Sequence, residues 1–108
     1  MFFKTKTIRD KENLEFIRSL PCVKCGWASE ASHLRKGTDG AMGKKPSDCF
    51  VLPLCHEHHA ESHRVGEVTF WKGKTEIAKQ YALLLYEVKG DFMAGIRIAH
   101  KLHGEIWG

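Results

Sequence analysis

Apolar residues recur at helical spacing near the start of the chain. Asp10 is a residue type that caps helix N-termini, and Leu14, Ile17 and Leu20 follow it at steps of three residues. Pro21 ends the pattern, because a proline ring clashes with the preceding helical turn. The pattern predicts a first helix between the cap and the proline, with its apolar side packed against the core.

Two short apolar stretches then predict a β-hairpin. Residues 27–34 favour a first strand that ends at His33, and residues 49–54 favour a second strand. The segment between them is rich in glycine and lysine, so it forms the long loop of the hairpin. A polar helix over residues 55–65 follows, and Gly66 is a residue type that ends helices.

The C-terminal third of the chain carries two further apolar stripes at helical spacing. The sequence Lys89-Gly90-Asp91 separates them, with a glycine to end one helix and an aspartate to cap the next. We therefore expect two C-terminal helices whose apolar faces cover the core. The stripes comprise Ile77, Tyr81, Leu84, Leu85 and Val88 in the first helix, and Phe92, Ile96, Ala99 and Ile106 in the second.

These elements predict a single α+β domain. The chain has 108 residues, a size at which the hydrophobic core is modest and a structural metal adds much stability. Residues 1–20 form an N-terminal arm and helix, residues 21–71 a core with the hairpin, and residues 72–108 the C-terminal helices.

The apolar runs also bear on cellular location. None approaches the ~18 residues of a membrane-spanning helix, so a membrane span is excluded. The apolar part of Met1 to Lys4 is too short for a signal peptide. We expect a cytoplasmic protein.

The positive charge is concentrated in the hairpin loop. The formal net charge is +4, and residues 33–46 contain Arg35, Lys36, Lys44 and Lys45 against one acidic residue, Asp39. A local basic loop suits a polyanion, most simply a phosphodiester backbone. These four basic residues are the candidate nucleic-acid contacts.

Two pairs of metal-binding residues flank the hairpin. Cys22 and Cys25 form one pair with two residues between them. Cys55 and His58 repeat that spacing at the start of the polar helix. In a reducing compartment this spacing indicates metal ligation, and four protein ligands make a closed, structural Zn²⁺ site. Cys49 lies on the predicted strand, where we expect an ordinary buried thiol.

A second set of histidines follows directly after the first. His59 and His63 are four residues apart on the predicted helix, so both imidazoles project from one face and could share one cation. The first strand brings His33 towards the same region.

Five motifs occur together between Leu14 and Trp71. They are Cys22-x-x-Cys25, Ala31-Ser32-His33-Leu34-Arg35, Lys45-Pro46-Ser47-Asp48, Pro53-Leu54-Cys55-x-x-His58-His59 with His63, and Phe70-Trp71. In this combination the chain resembles the HNH (ββα-metal) endonucleases, and it is most similar to their small phage and prophage branch, related to recombination-associated nucleases.

The resemblance implies a zinc-stabilised ββα-metal, treble-clef-like core that grips one catalytic ion, Mg²⁺ or another divalent cation. It implies that His33 is the general base and that His59 and His63 hold the catalytic ion. Two positions depart from the family pattern. Ser32 stands where many members have a metal-binding His or Asp. The family's middle asparagine is missing, and Asp48 could bond the hairpin loop in its place.

The resulting hypothesis is an endonuclease that hydrolyses DNA phosphodiester bonds and is linked to DNA recombination or processing. DNA is then the expected partner, with a recombination protein as a further one. The alternative is a non-catalytic zinc module that binds nucleic acid or a protein. The form of the substrate and the oligomeric state stay open.

Overall fold

The computed structural model describes residues 7–40 and 45–108. Within these ranges the fold is mixed α and β, with a two-stranded sheet and five helices. The predicted arm lies mostly outside the described residues, as does Lys44. The elements in chain order are α1 (Lys11–Ser19), β1 (Glu30–His33), β2 (Val51–Leu54), α2 (His56–Val65), α3 (Glu67–Phe70), α4 (Thr75–Glu87) and α5 (Phe92–Trp107).

Helix α1 begins and ends where its sequence predicts. The Asp10 carboxylate accepts a hydrogen bond from the backbone N–H of Asn13 at 3.0 Å, and Leu20 closes the helix before the proline. Phe16 and Ile17 are buried. The helix thus lies with its apolar side against the hairpin and α5.

The predicted hairpin is confirmed, but its strands are shorter than expected. β1 and β2 pair antiparallel, with Glu30 opposite Leu54 and His33 opposite Val51. The residues just before β1 do not continue the strand, because the chain folds back there and the Cys22 N–H donates to the carbonyl of Trp27 at 2.7 Å. β2 is buried along its whole length.

Helix α2 follows β2 directly, and its bounds agree with the predicted residues 55–65. Cys55 is its N-cap, and Gly66 ends it with a φ of +89°, a conformation that favours glycine. The short helix α3 after Gly66 is an element that the sequence pattern did not predict.

The C-terminal helices form as predicted, but their buried faces differ from the predicted stripes. In α4 the buried residues are Ala78, Ala82 and Leu85, whereas Leu84 is 42% exposed. Small side chains on the inner face allow close packing, which a pattern of large apolar residues does not reveal. Phe92, at the start of α5, is 47% exposed, so its placement in the core was wrong.

Helix α5 lies close to α1 at Gly95. A Cβ atom at this position would lie 2.7 Å from Leu20 Cδ2 and 2.9 Å from Phe16 Cζ. The glycine therefore sets the separation of the two helices. No helix among the described residues is long and apolar enough to cross a membrane.

Candidate functional site

The two predicted ligand pairs come together in space. The ligand atoms of Cys22, Cys25, Cys55 and His58, here called the Cys3His cluster, all lie within 4.8 Å of one another. The Sγ atoms of Cys25 and Cys55 are 3.7 Å apart, and His58 Nδ1 lies 3.3 Å from Cys55 Sγ. A tetrahedron with Zn–S bonds of ~2.3 Å has edges of about 3.8 Å. The donor set and its spacing therefore fit a tetrahedral metal ion such as Zn²⁺.

Backbone hydrogen bonds hold the cysteine turn against the hairpin. The N–H of Gly26 donates to the carbonyl of Cys22 at 2.8 Å, in a turn where Gly26 has a φ of +81°. The N–H of Val23 donates to the carbonyl of Pro53 at 2.9 Å. Because Cys55 follows β2 directly, this bond brings the first pair of ligands to the second.

The thiols of the cluster have unequal acidities. Burial raises the pKa of Cys22, but hydrogen bonds from the backbone of Cys55 and Cys25 and from His58 outweigh it, and the pKa falls to about 7. Burial raises the pKa of Cys25 to about 11, and the neighbouring Cys22 and Cys55 sulfurs raise it as well. Several thiolates at this spacing repel one another, and a divalent cation between them would remove the repulsion. Cys49 is buried and lies outside the cluster, as predicted.

His33 ends β1 and is bonded to a buried carboxylate. Its Nε2 lies 2.8 Å from Asp48 Oδ1, and the Asp48 side chain is only 5% exposed. A carboxylate can only accept, so neutral His33 carries its proton on Nε2 and its lone pair on Nδ1. Burial lowers the pKa of His33, and the Asp48 carboxylate offsets part of that effect. The result is a neutral imidazole of fixed tautomer.

Residues before and within α1 hold Asp48 in place. Its Oδ2 accepts from the backbone N–H of Asp10 at 2.9 Å, and its Oδ1 from Arg9 Nη1 at 3.3 Å. The buried side chain of Asn13 donates through Nδ2 to the Asp48 carbonyl at 2.7 Å. Burial raises the pKa of Asp48, but the bonds from His33 and Asp10 outweigh it and lower the pKa. Sequence reasoning set Asn13 aside because it lies far upstream, and no local signal could have joined it to the hairpin.

His59 and His63 project from one face of α2, with ring centroids 5.0 Å apart. Glu30 on β1 holds the first of them: His59 Nδ1 donates to Glu30 Oε1 at 2.8 Å, and His56 Nδ1 donates to Oε2 at 2.9 Å. Sequence reasoning missed Glu30. The signal available was its position on β1, two residues before Ser32, where many of the HNH endonucleases that the chain resembles have a metal ligand.

The three histidines do not converge as the cysteines do. In residues 7–40 and 45–108, no group of three ligands within 4.8 Å includes His33, His59 or His63. Alternate residues of a strand point to opposite faces, so Glu30 and Ser32 share one face of β1 while His33 starts from the other. The structure thus presents one histidine pair on α2 and one His–Asp dyad at the strand end.

Two of the predicted basic residues lie beside His63. The backbone N–H groups of Arg35 and Lys36 donate to the two oxygens of Glu67 at 2.8 and 2.9 Å, which fixes the turn after β1 against α3. Both residues, with His63, line a cavity of about 390 Å³. Lys45 lies on the opposite arm of the loop, where its carbonyl accepts from Arg9 Nη2 at 3.0 Å.

Comparison with known proteins places the chain in a family. A family model described as a protein of unknown function (DUF968) matches residues 2–82. The uncharacterized protein YdfU of Escherichia coli (strain K12) is 45% identical over 49 residues, which are 44% of this chain and 14% of that protein. The match thus spans a small part of the relative's length. No solved structure matches the chain significantly. Because the family model covers well over half of the sequence, the chain belongs to the DUF968 family.

Proposed function

We propose that the protein is a metal-dependent endonuclease of the HNH type, which hydrolyses DNA phosphodiester bonds on a ββα-metal core. The observation that carries the proposal is the dyad of His33 and Asp48, 2.8 Å apart at the end of the strand that precedes a histidine-bearing helix. A buried histidine bonded to a carboxylate is how proteins orient a general base. The resemblance to phage and prophage nucleases supports the same function.

In this mechanism the chain supplies the base and its support. Nδ1 of His33 accepts a proton from the attacking water, and the negative charge of Asp48 stabilises the imidazolium that forms. Neutral His33 is favoured by its lowered pKa, so the base is available at neutral pH.

Positive groups lie near both the dyad and the histidine pair, which suits a phosphodiester. Lys45 is close enough to lower the pKa of His33, and Arg35 and Lys36 line a cavity with His63. A divalent ion held by His59 and His63, Mg²⁺ or another, would stabilise the charge on the phosphorane and on the leaving oxygen. Arg35, Lys36 and Lys45 contact neighbouring phosphates, which positions the strand without reading its sequence. The Cys3His cluster would hold a structural Zn²⁺ with four protein ligands, which leaves no open position for chemistry.

One observation favours a second candidate, a zinc module that binds DNA or a protein without cutting. His59 is engaged by Glu30, and no third ligand from the described residues joins His59 and His63. Ser32 stands at the strand position that would have supplied it.

Cleavage assays separate the two candidates. Zinc-loaded protein is incubated with supercoiled, single-stranded and branched DNA in Mg²⁺, Mn²⁺ or Ni²⁺, beside His33→Ala and His63→Ala. Leu84→Ala, an exposed position on α4, serves as the matched control. We expect nicking by the parent and the control and a loss in both histidine variants.

Two outcomes contradict the proposal. Cleavage that survives both histidine substitutions removes the mechanism. An absence of cleavage on every substrate, with salt-dependent DNA binding retained, assigns the protein to the second candidate.

A further inference from the structure

A groove runs between the cysteine turn and α5, and none of His33, His59 and His63 lines it. Two cavities of about 330 and 380 Å³ lie along it and share Pro21, Gly26 and Ile96 as lining residues. The shared residues place the two cavities side by side, and together they are called the groove. One end lies at Trp27 and the other at His103.

The Trp27 end of the groove is aromatic and open to solvent. Trp27 is 76% exposed and Phe92 is 47% exposed, and both line the same cavity. Trp71, by contrast, is buried, and Trp107 packs against the core. Exposed aromatic surface in a groove marks an interaction site, since folding alone gives no reason to leave it in water.

Among Asp, Glu, Lys and Arg side chains, only basic ones line the two cavities: Arg18 in the aromatic cavity and Lys24 in the other. The Lys24 cavity also has Cys22 and Cys25 of the Cys3His cluster in its wall. Lys24 already binds Glu61 at 3.1 Å, so Arg18 is the main cation available to a ligand at the aromatic end. Neither Glu15, three residues before Arg18, nor Asp91, which precedes Phe92, lines either cavity. Asp91 uses its Oδ1 to accept the Ala94 N–H at 3.1 Å as the cap of α5.

We propose that this groove binds an unpaired nucleic-acid strand, with bases stacked on Trp27 and Phe92 and a phosphate beside Arg18. Proteins that hold single strands combine a basic groove with exposed aromatic rings in this way. The inference rests on the proposed function in taking nucleic acid as the ligand. It adds a strand-binding site separate from the site of cleavage.

Charge argues against a second copy of the chain as the occupant. A two-fold contact buries the same surface of both partners, so it would bring together two copies of Arg18 and Lys24 with no acidic lining residue between them. Like charges brought together destabilise such a contact. A polyanion has the complementary charge.

Strand binding is measurable without cleavage. Zinc-loaded His33→Ala protein is titrated with oligothymidylate and with duplex DNA of equal length, and both tryptophan fluorescence and the anisotropy of labelled DNA are recorded. We expect oligothymidylate to quench the exposed Trp27. Trp27→Ala should abolish most of the quenching, and Trp27→Ala or Phe92→Ala should weaken single-strand binding roughly 5- to 100-fold.

Leu84→Ala is the matched control, because it removes another exposed apolar side chain that lines neither cavity. Zinc content and circular dichroism verify that each variant is folded. Unchanged single-strand affinity in folded Trp27→Ala and Phe92→Ala overturns the inference. So does a concentration-dependent dimer that Trp27→Ala abolishes in sedimentation, which would assign the groove to a second copy.

The two proposals fail separately. A protein that cuts DNA but binds single strands independently of Trp27 keeps the proposed function and loses this site. A protein that binds through Trp27 and never cuts keeps this site and loses the nuclease.

Discussion

The Cys3His cluster and the three histidines share one scaffold of β1, β2 and α2, but different partners hold their side chains. In the cluster the ligand atoms face one another within 4.8 Å. In the second region two of the three histidines are bonded to a carboxylate instead, His33 to Asp48 and His59 to Glu30. The first arrangement needs a cation to relieve thiolate repulsion. The second is satisfied by hydrogen bonds, and the other ring nitrogen of each bonded histidine can still accept a proton or bind a metal ion.

The boundary between the two regions is one peptide bond on α2. His58 Nδ1 lies among the sulfurs, 3.6 Å from Cys22 Sγ, whereas His59 Nδ1 points to β1. Successive helical residues are rotated by about 100°, so adjacent histidines face different neighbours. This difference predicts that the first supports the fold and the second the chemistry.

The largest expected effect separates these neighbours. A structural zinc contributes apparent binding energies of ~10–16 kcal/mol, more than the whole stability of most small domains. His58→Ala should lose the stoichiometric metal and the cooperative thermal transition, whereas His59→Ala should keep both. Metal analysis after dialysis and melting followed by circular dichroism measure this. The reverse result would exchange the two roles.

The next effect concerns the dyad alone. Asp48→Asn keeps the size of the side chain but removes the charge that stabilises protonated His33, so cleavage should slow by about 10²- to 10⁴-fold with zinc retained. Asp91→Asn is the matched control, because asparagine also caps helices. Single-turnover nicking rates measure the change. Equal rates for the two variants would show that Asp48 supports the loop and not a base.

A smaller effect is expected at Glu30. The side chain of this residue is 44% exposed, so Glu30→Gln should alter stability little. It should weaken binding of the proposed catalytic ion to His59 and His63 by about 10- to 100-fold. The reason is that a carboxylate bonded to Nδ1 orients a metal-binding imidazole. Metal titration of nicking and calorimetry of ion binding provide two readouts. If ion affinity is unchanged, Glu30 is a surface contact only.

The smallest effect is a shift in pH dependence. Because burial lowers the pKa of His33 below its usual 6.5, the base stays neutral as the pH falls to that value, and activity should decline only at lower pH. The Asp48 carboxylate raises this pKa, so Asp48→Asn should move the acidic limb of the pH–rate profile to lower pH. Lys45 lowers the pKa of His33, so Lys45→Ala should move the acidic limb to higher pH. Rate profiles and NMR titration of His33 measure both shifts. A limb above 6.5 in the parent would contradict the burial argument.

Local sequence rules predicted the elements that depend on neighbouring residues. Asp10 and Asp91 cap their helices because a carboxylate reaches backbone N–H groups within its own turn. Gly66 ends α2 because its backbone conformation disfavours other residues. Rules of this range could not predict the inner face of α4, since its alanines are buried by contact with distant elements.

The sequence by itself determined the two chelating pairs, the hairpin between them and the helix with His59 and His63, since each follows from spacings of a few residues. Only the tertiary structure decided which carboxylates hold the histidines. Asp48 meets His33 through the hairpin and α1, Asn13 reaches the Asp48 carbonyl from α1, and Glu30 meets His59 across β1 and α2. It also decided that Trp27 stays exposed. These contacts depend on packing between segments far apart in the chain, which no local pattern encodes.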